Sequence, residues 1–94
     1  MRITKIYPAS CFVRAYKKLS ENIKSRAKQQ EKIFLDNPFD PRLKTHKLKG
    51  ELKDFWSYSI NYQYRILFRF INHNEVIYYD VGTHEIYEQK WKIQ

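Results

Sequence analysis

Cysteine, glycine and long apolar runs are nearly absent from this sequence of 94 residues. The single cysteine, Cys11, cannot form an internal disulfide, which favours a reducing compartment. Only two glycines, Gly50 and Gly82, argue against a glycine-rich phosphate loop and a nucleotide cofactor. No apolar run approaches the roughly 20 residues that span a bilayer, and no apolar secretion segment is visible near Met1. We therefore expect a cytoplasmic protein without a membrane partner.

Residue types that bind metals are sparse and scattered. The three histidines, His46, His73 and His84, lie far apart, and no C-x-x-C pair accompanies them. Zinc sites usually draw their ligands from closely spaced Cys and His residues, so we expect neither a metal nor any other cofactor. A Ser-His-Asp triad stays open, although no serine lies in a motif that marks a nucleophile.

Positive charge is abundant and unevenly distributed. The formal net charge is +8, and residues 1–49 carry 13 Lys/Arg against 4 Asp/Glu, whereas residues 50–94 carry 5 against 6. A cationic half of this kind is typical of a protein that binds nucleic acid. The alternative is a solvated basic face that only keeps the chain in solution.

The first half of the chain predicts one strand and two helices. Residues 3–7 alternate and favour β-structure, and apolar residues then recur at helical spacing from about Ala9 to Leu19. Ser20 is a suitable N-cap for a second helix, which ends at Asn37 because the residue before a proline avoids the α region. Its apolar stripe comprises Ile23, Ala27 and Phe34.

Three aromatic-rich strands follow a loop that is predicted to extend from Phe39 to Lys53. If Ile60 pairs with Gln63 across a tight turn, Phe68 lies on the core face, and Trp56, Tyr58 and Arg65 lie on the other. The same register places Ile77, Tyr79 and Val81 on the Phe68 side, with Val76, Tyr78 and Asp80 opposite. We predict one α+β domain over residues 1–94, of order β-α-α-β-β-β, with two helices on one face of a four-stranded, mostly antiparallel sheet.

Basic, histidine and aromatic side chains surround the predicted open face in a combination that suits phosphodiester chemistry on RNA. In metal-free cleavage the 2′-OH attacks the adjacent phosphorus, so one group takes its proton and another protonates the leaving 5′-oxygen. Histidine can do either, and cations stabilise the phosphate. Aromatic rings can stack on unpaired bases. The candidate RNA-binding residues are Lys47, Lys49, Lys53, Trp56 and Tyr58, and the candidate catalytic residues are His46, Arg65, His84 and Tyr87.

Each candidate also has a purely structural interpretation. His46 can be an ordinary loop histidine, and Arg65 can pair with Asp80 across the sheet. Trp56 and Tyr58 can be strand residues covered by the basic loop. Tyr87 can anchor the end of the chain against the sheet. Residue types alone leave these alternatives open.

Four stretches resemble the RelE/ParE toxin superfamily, within it most the mRNA-interferase branch of RelE and YafQ type. They are Lys44-Thr45-His46-Lys47-Leu48-Lys49-Gly50, Trp56-Ser57-Tyr58-Ser59-Ile60, Tyr64-Arg65-Ile66-Leu67-Phe68 and Gly82-Thr83-His84-Glu85-Ile86-Tyr87. The resemblance covers essentially the whole chain. It implies the same fold, cleavage of mRNA in the ribosomal A site, and inhibition by a cognate antitoxin protein.

The resemblance also implies roles for single residues. His46 and His84 match catalytic histidines of YafQ-like toxins, Arg65 the phosphate-binding arginine, and Tyr87 a functional tyrosine of RelE-like toxins. Lys49 and Lys53 lie near the lysines of RelE. Ser59 and Gln63 replace a histidine and an aspartate of YafQ-like toxins, which leaves open which histidine is base and which acid. Two other functions compete: a ParE-like gyrase inhibitor and an RNA-binding module without activity.

Overall fold

A computed structural model describes residues 1–88, in which two helices pack on a five-stranded sheet. The helices and strands are β1 (Lys5–Pro8), α1 (Ser10–Lys17), α2 (Glu21–Asp36), β2 (His46–Lys47), β3 (Trp56–Ser59), β4 (Arg65–Phe70) and β5 (Glu75–Gly82). Three short 3-10 turns comprise Pro41–Leu43, Gly50–Leu52 and His84–Glu88. The predicted α+β class and element order are confirmed.

The sheet has the order β1-β5-β4-β3-β2, with β1 parallel to β5 and all other pairs antiparallel. The predicted count of four strands is wrong by one, because His46 and Lys47 form a short edge strand against β3. Two residues within a loop give no readable alternation, so sequence periodicity could not reveal this strand. None of the helices in residues 1–88 is long and apolar enough to cross a membrane.

Local signals set the limits of α2. The hydroxyl of Ser20 accepts a hydrogen bond from the Ile23 N–H at 3.3 Å, and Asn37 before the proline leaves the helical conformation. The buried stripe of α2 contains a polar residue, Gln30, which the apolar pattern did not predict. Its amide Nε2 donates to the Ser59 carbonyl at 2.9 Å and thereby ties α2 to the end of β3.

The register between β3 and β4 differs by one residue from the prediction. Asn61 Oδ1 accepts from the N–H groups of Gln63 (2.9 Å) and Tyr64 (2.7 Å), which closes a three-residue loop and brings Ile60 opposite Tyr64. A shift of one residue reverses every side chain of one strand relative to the other. Trp56 and Tyr58 therefore lie on the helix side with Ile66 and Phe68, and their predicted place on the open face is wrong.

An irregularity between β4 and β5 shifts the phase of the last strand. Phe68 pairs with Tyr78 and Leu67 with Asp80, so Tyr79 is the extra residue of a β-bulge. Val76 and Tyr78 are core residues, contrary to the prediction that placed Ile77 and Tyr79 there. Beyond the bulge, Val81 lies on the core side and Asp80 on the other, as predicted.

The core between the helices and the sheet is rich in aromatic rings. Phe34 of α2 stacks on Tyr58 with centroids 4.5 Å apart, and Phe68 meets Phe34 edge-on at 5.0 Å. The hydroxyls of Tyr58 and Tyr78 hydrogen bond to each other at 2.7 Å inside this core. Burial raises the pKa of both tyrosines, and the nearby Glu31 carboxylate interacts further with Tyr78. Both phenols are thus neutral, and Tyr58 depends on Tyr78 for its partner.

We expect the two tyrosines to differ in what they contribute to stability. Tyr78→Phe leaves the buried Tyr58 hydroxyl unsatisfied and should lower the free energy of unfolding by about 1–3 kcal/mol. Tyr58→Phe should cost less, because the Tyr78 hydroxyl retains its interaction with the Glu31 carboxylate. Urea unfolding of both single variants and of the double variant measures the difference. Equal losses of free energy of unfolding in the two single variants would contradict this account. So would a loss in the double variant that equals the sum of the two single losses.

Candidate active site

The sheet face opposite the helices carries the candidate site. The register aligns His46, Ser57, Leu67 and Asp80 in one row across β2 to β5, and residues directly opposite each other share a face. Leu67 and Ile86 are buried but lie outside the main core. The turn His84–Glu88 packs against β5 and supplies Ile86, so a small second apolar layer forms on this face.

Tyr87 fixes this turn to the middle of the sheet. Its hydroxyl donates to Ser57 Oγ on β3 at 3.0 Å, which spans the width of β4. This hydrogen bond supports the interpretation that Tyr87 anchors the turn against the sheet. Ser57 was not predicted as a site residue, because a lone serine between aromatic residues of a strand gives no sequence signal.

Arg65 begins β4 and lies opposite Gly82, not opposite Asp80 as the pairing alternative required. One terminal nitrogen, Nη2, donates to the Tyr62 carbonyl at 3.3 Å. The Nε atom is buried and has no hydrogen-bond partner within residues 1–88. A buried donor without an acceptor is energetically costly.

Arg65 and His84 line one cleft of about 400 Å³, which we call the Arg65 cleft. His84 is exposed at the start of its turn, directly after the end of β5. Tyr62, Gln63, Thr83 and Glu85 complete the lining. Tyr62 and Thr83 were not singled out from the sequence, although a large aromatic residue in a hairpin loop is a usable signal.

His46 lies on the open face but not in the Arg65 cleft. It is exposed on the edge strand, and its Nδ1 donates to the Lys44 carbonyl at 3.1 Å, which leaves Nε2 as the acceptor of a neutral ring. Standard sheet spacings put its Cα about 12 Å from that of Arg65, two strands away. Side chains at that separation can reach a substrate that lies between them.

The three predicted lysines are exposed around the edge formed by β2 and the following turn. Lys47 lies opposite Trp56 and thus on the helix side of the sheet, whereas His46 lies on the open side. Lys49 and Lys53 flank the turn Gly50–Leu52. The lysines follow one sheet edge and do not enter the Arg65 cleft.

Trp56 and Tyr58 do not belong to this surface. Tyr58 is 0% exposed, and Trp56 packs edge-on against Phe39 and Phe70. Tyr58 has no accessible ring face for a base, and the partly buried Trp56 lies on the helix side of the sheet. The open-face position on which their predicted RNA contact rested is therefore wrong. The sequence showed aromatic residues at alternate positions without showing which side of the sheet they faced.

Comparison with known proteins agrees with this architecture. A family model described as the RelE-like toxin of the type II toxin-antitoxin system HigB matches residues 12–84. YafQ from E. coli superimposes with a TM-score of 0.73 at 15% identity, covering 89% of this chain and 97% of YafQ. No curated protein sequence matches.

Two further structures have the same fold. The toxin-antitoxin complex RelBE2 from Mycobacterium tuberculosis gives a TM-score of 0.73 at 21% identity, over 89% of this chain and 100% of the other. The YoeB dimer from Staphylococcus aureus gives 0.70 at 19% identity, over 89% and 99%. The fold is that of the RelE/ParE superfamily of toxins, as the resemblance implied. Within it, the chain belongs to the HigB-like toxin family, whose members are RelE-like toxins of type II toxin-antitoxin systems.

Gly82 couples the end of β5 to the turn that carries His84. A Cβ at this position would lie 2.8 Å from Ile86 Cγ2, closer than side chains pack. Gly82→Ala should therefore displace the turn and lower the free energy of unfolding by about 1–3 kcal/mol, the usual cost of overpacking. Urea unfolding and amide hydrogen exchange of residues 83–87 measure both effects.

Ile86→Ala provides the matched control, because it removes the atom that an alanine at position 82 would strike. In the double variant the added methyl group should cost almost nothing beyond Ile86→Ala alone. If the double variant loses as much stability as the two single variants together, the contact between position 82 and Ile86 is not the cause.

Proposed function

We propose that this toxin is an endoribonuclease that cleaves mRNA on the ribosome, without a metal, by attack of the 2′-OH on the adjacent phosphorus. The observation that carries the proposal is the Arg65 cleft, which is lined by both an arginine and an exposed histidine. A cation that binds the phosphate and a group that transfers protons are both needed at a scissile phosphodiester. Family membership supports the same function.

In this proposal Arg65 binds the scissile phosphate. Its side chain lines the cleft, and a guanidinium offers a fixed fork of donors to phosphate oxygens. The contact of Nη2 with the Tyr62 carbonyl holds the guanidinium in place before substrate arrives. A preorganised cation of this kind is most effective as charge builds on the phosphate during attack.

His84 and His46 are the proposed proton-transfer pair. His84 shares the cleft with Arg65, and His46 approaches the same face from the edge strand β2. An imidazole can accept or donate a proton near neutral pH. Tyr87 is half-buried between them and hydrogen bonds to Ser57, so we assign it to positioning of the turn as well as to the catalytic group.

The exposed lysines Lys47, Lys49 and Lys53 are proposed to contact the RNA backbone around the cleft. Trp56 and Tyr58 are omitted from this surface because both lie on the helix side of the sheet. The cationic half of the chain is proposed to bind a cognate antitoxin in the cytoplasm. The RelBE2 structure, which contains a toxin with its antitoxin, supports that partner.

A ParE-like gyrase inhibitor is the second candidate function, and an RNA-binding module without activity is the third. Gyrase inhibition would not need an arginine and a histidine in the same cleft. A module without activity would bind RNA and leave it intact. A cleavage assay on programmed ribosomes, beside a gyrase supercoiling assay, separates the three functions.

Removal of the cleft side chains should abolish most cleavage while the fold is retained. His84→Ala should reduce the cleavage rate by about 10²–10⁴-fold, the usual contribution of a positioned acid or base. Arg65→Ala should cost about 10²–10³-fold through lost charge stabilisation. Single-turnover cleavage of mRNA on ribosomes measures the rates, and circular dichroism checks the fold.

Two matched controls lie elsewhere in the same protein. Arg69 is an exposed arginine on β4, and His73 is an exposed histidine in the loop before β5. Their alanine variants should cleave at the wild-type rate. The ribonuclease proposal fails if folded His84→Ala and Arg65→Ala proteins cleave as fast as these controls. Products should end in a 2′,3′-cyclic phosphate, and EDTA should not inhibit.

Binding of RNA should weaken steeply as salt concentration rises. Each phosphate neutralised on a single strand contributes about 0.7 to the slope of log K against log salt. Replacement of Lys47, Lys49 and Lys53 by Gln should therefore reduce the slope by up to about 2. The same change at the exposed lysines Lys17, Lys18 and Lys28, in and next to the helices, serves as the control. If both triple variants keep the wild-type salt slope, the surface of Lys47, Lys49 and Lys53 is only a solvated face.

A further inference from the structure

A second, smaller cleft adjoins the candidate active site. It has a volume of about 150 Å³ and is lined by cationic side chains from α2 and from the segment before β2. We call it the Arg26 cleft. Tyr62 lines both this cleft and the Arg65 cleft, so one tyrosine lies at the boundary between them.

Two cations of the Arg26 cleft, Arg26 and Lys44, form no ion pair with a carboxylate among the described residues. Arg42 is bound to Asp40 by two side-chain hydrogen bonds, and this contact lowers the pKa of Asp40 to about 2. Arg26 donates through Nε to the Ile60 carbonyl at 3.1 Å, and its terminal nitrogens have no hydrogen-bond partner within residues 1–88. Lys44 adopts a left-handed conformation at φ 53°, where the chain turns into β2. The cleft is therefore built to hold one anionic group.

Tyr62 is an exposed aromatic ring on a loop that is held in shape. Its side chain is 84% exposed, the largest exposure among the exposed large hydrophobic residues of the described chain. Asn61 closes the loop through two backbone N–H groups, and Arg65 donates to the Tyr62 carbonyl. A ring on a rigid loop loses little entropy when a flat partner stacks on it, which makes it a suitable platform for an unpaired base.

We propose that the Arg26 cleft binds the phosphate of a nucleotide that neighbours the scissile phosphate, and that Tyr62 stacks on a base between the two clefts. The proposal rests on the ribonuclease function proposed above and adds a second subsite to it. The ligand chemistry is a phosphate next to an unpaired base in RNA. Both mRNA and ribosomal RNA can supply that chemistry.

The test measures binding without cleavage. Oligonucleotides with a 2′-O-methyl group at the scissile position are made as a dinucleotide and as versions extended by two nucleotides on the 5′ or 3′ side. Wild-type protein should bind one extended form more tightly than the dinucleotide. Tyr62→Ala should remove about 5- to 150-fold of that gain, the range of one base stacked on an aromatic ring. Tyr62→Phe should retain the gain, because the ring is kept.

Variants of the cations test the phosphate contact separately. The double variant Arg26→Gln and Lys44→Gln should reduce the salt slope of the extended oligonucleotide by about 0.7, which corresponds to one phosphate on a single strand. Its affinity for the dinucleotide should stay unchanged. Tyr7→Ala, which removes an exposed tyrosine of β1, is the control for loss of a surface ring.

Programmed ribosomes distinguish the two RNA sources. If Tyr62→Ala weakens binding of the extended free oligonucleotide, mRNA occupies the subsite. If Tyr62→Ala slows cleavage on ribosomes but leaves binding of the free oligonucleotide unchanged, ribosomal RNA supplies the base. The inference is overturned if Tyr62→Ala matches Tyr7→Ala in both assays. If Tyr62→Ala has no effect while Arg65→Ala and His84→Ala still reduce cleavage, the subsite is refuted and the ribonuclease proposal stands. A Tyr62 effect on binding by a protein that never cleaves RNA refutes the ribonuclease and keeps the subsite.

Discussion

Closure of the β3–β4 loop by the Asn61 side chain determines the arrangement of both faces of the sheet. Its Oδ1 accepts two backbone N–H groups and thereby makes the loop three residues long. That length places Tyr58 among the core rings and Arg65 on the opposite face. A loop shorter by one residue would exchange the faces of one strand, burying a guanidinium or exposing a stacked ring. Core and candidate site therefore depend on one amide.

Helical periodicity, Ser20 and Asn37 predicted the helices, since each signal acts within a few residues. The strand register was not predictable in the same way, because β3 carries aromatic residues and serines that fit either face. Hydrophobicity could not decide between Tyr58 and Ser57, and the decision came from a loop and from a bulge at Tyr79. The edge strand at His46 was missed because two paired residues leave no pattern.

The candidate site was predictable in part for a different reason. Arg65 and His84 were identified by chemical type, and the structure brings them into one cleft. His46 shares their face but lies two strands from Arg65. Ser57 and Tyr62 were missed, because one acts through a single hydrogen bond across the sheet and the other through exposure on a loop. The hydrogen bond of Ser57 cannot be read from residue type, whereas an aromatic residue in a predicted hairpin loop was an available signal for Tyr62.

The parallel pairing of β1 with β5 joins nearly opposite ends of the described chain. Lys5 lies opposite Glu75, so this contact has a very long sequence separation, and the turn with His84 follows at once. Contacts of this kind form late, since the cost of closing the loop precedes any gain. During synthesis the sheet cannot be completed, nor its cleft formed, until β5 has left the ribosomal exit tunnel. A chain released before that point lacks both His84 and β5, the strand that joins β1 to the rest of the sheet, and so cannot form the Arg65 cleft.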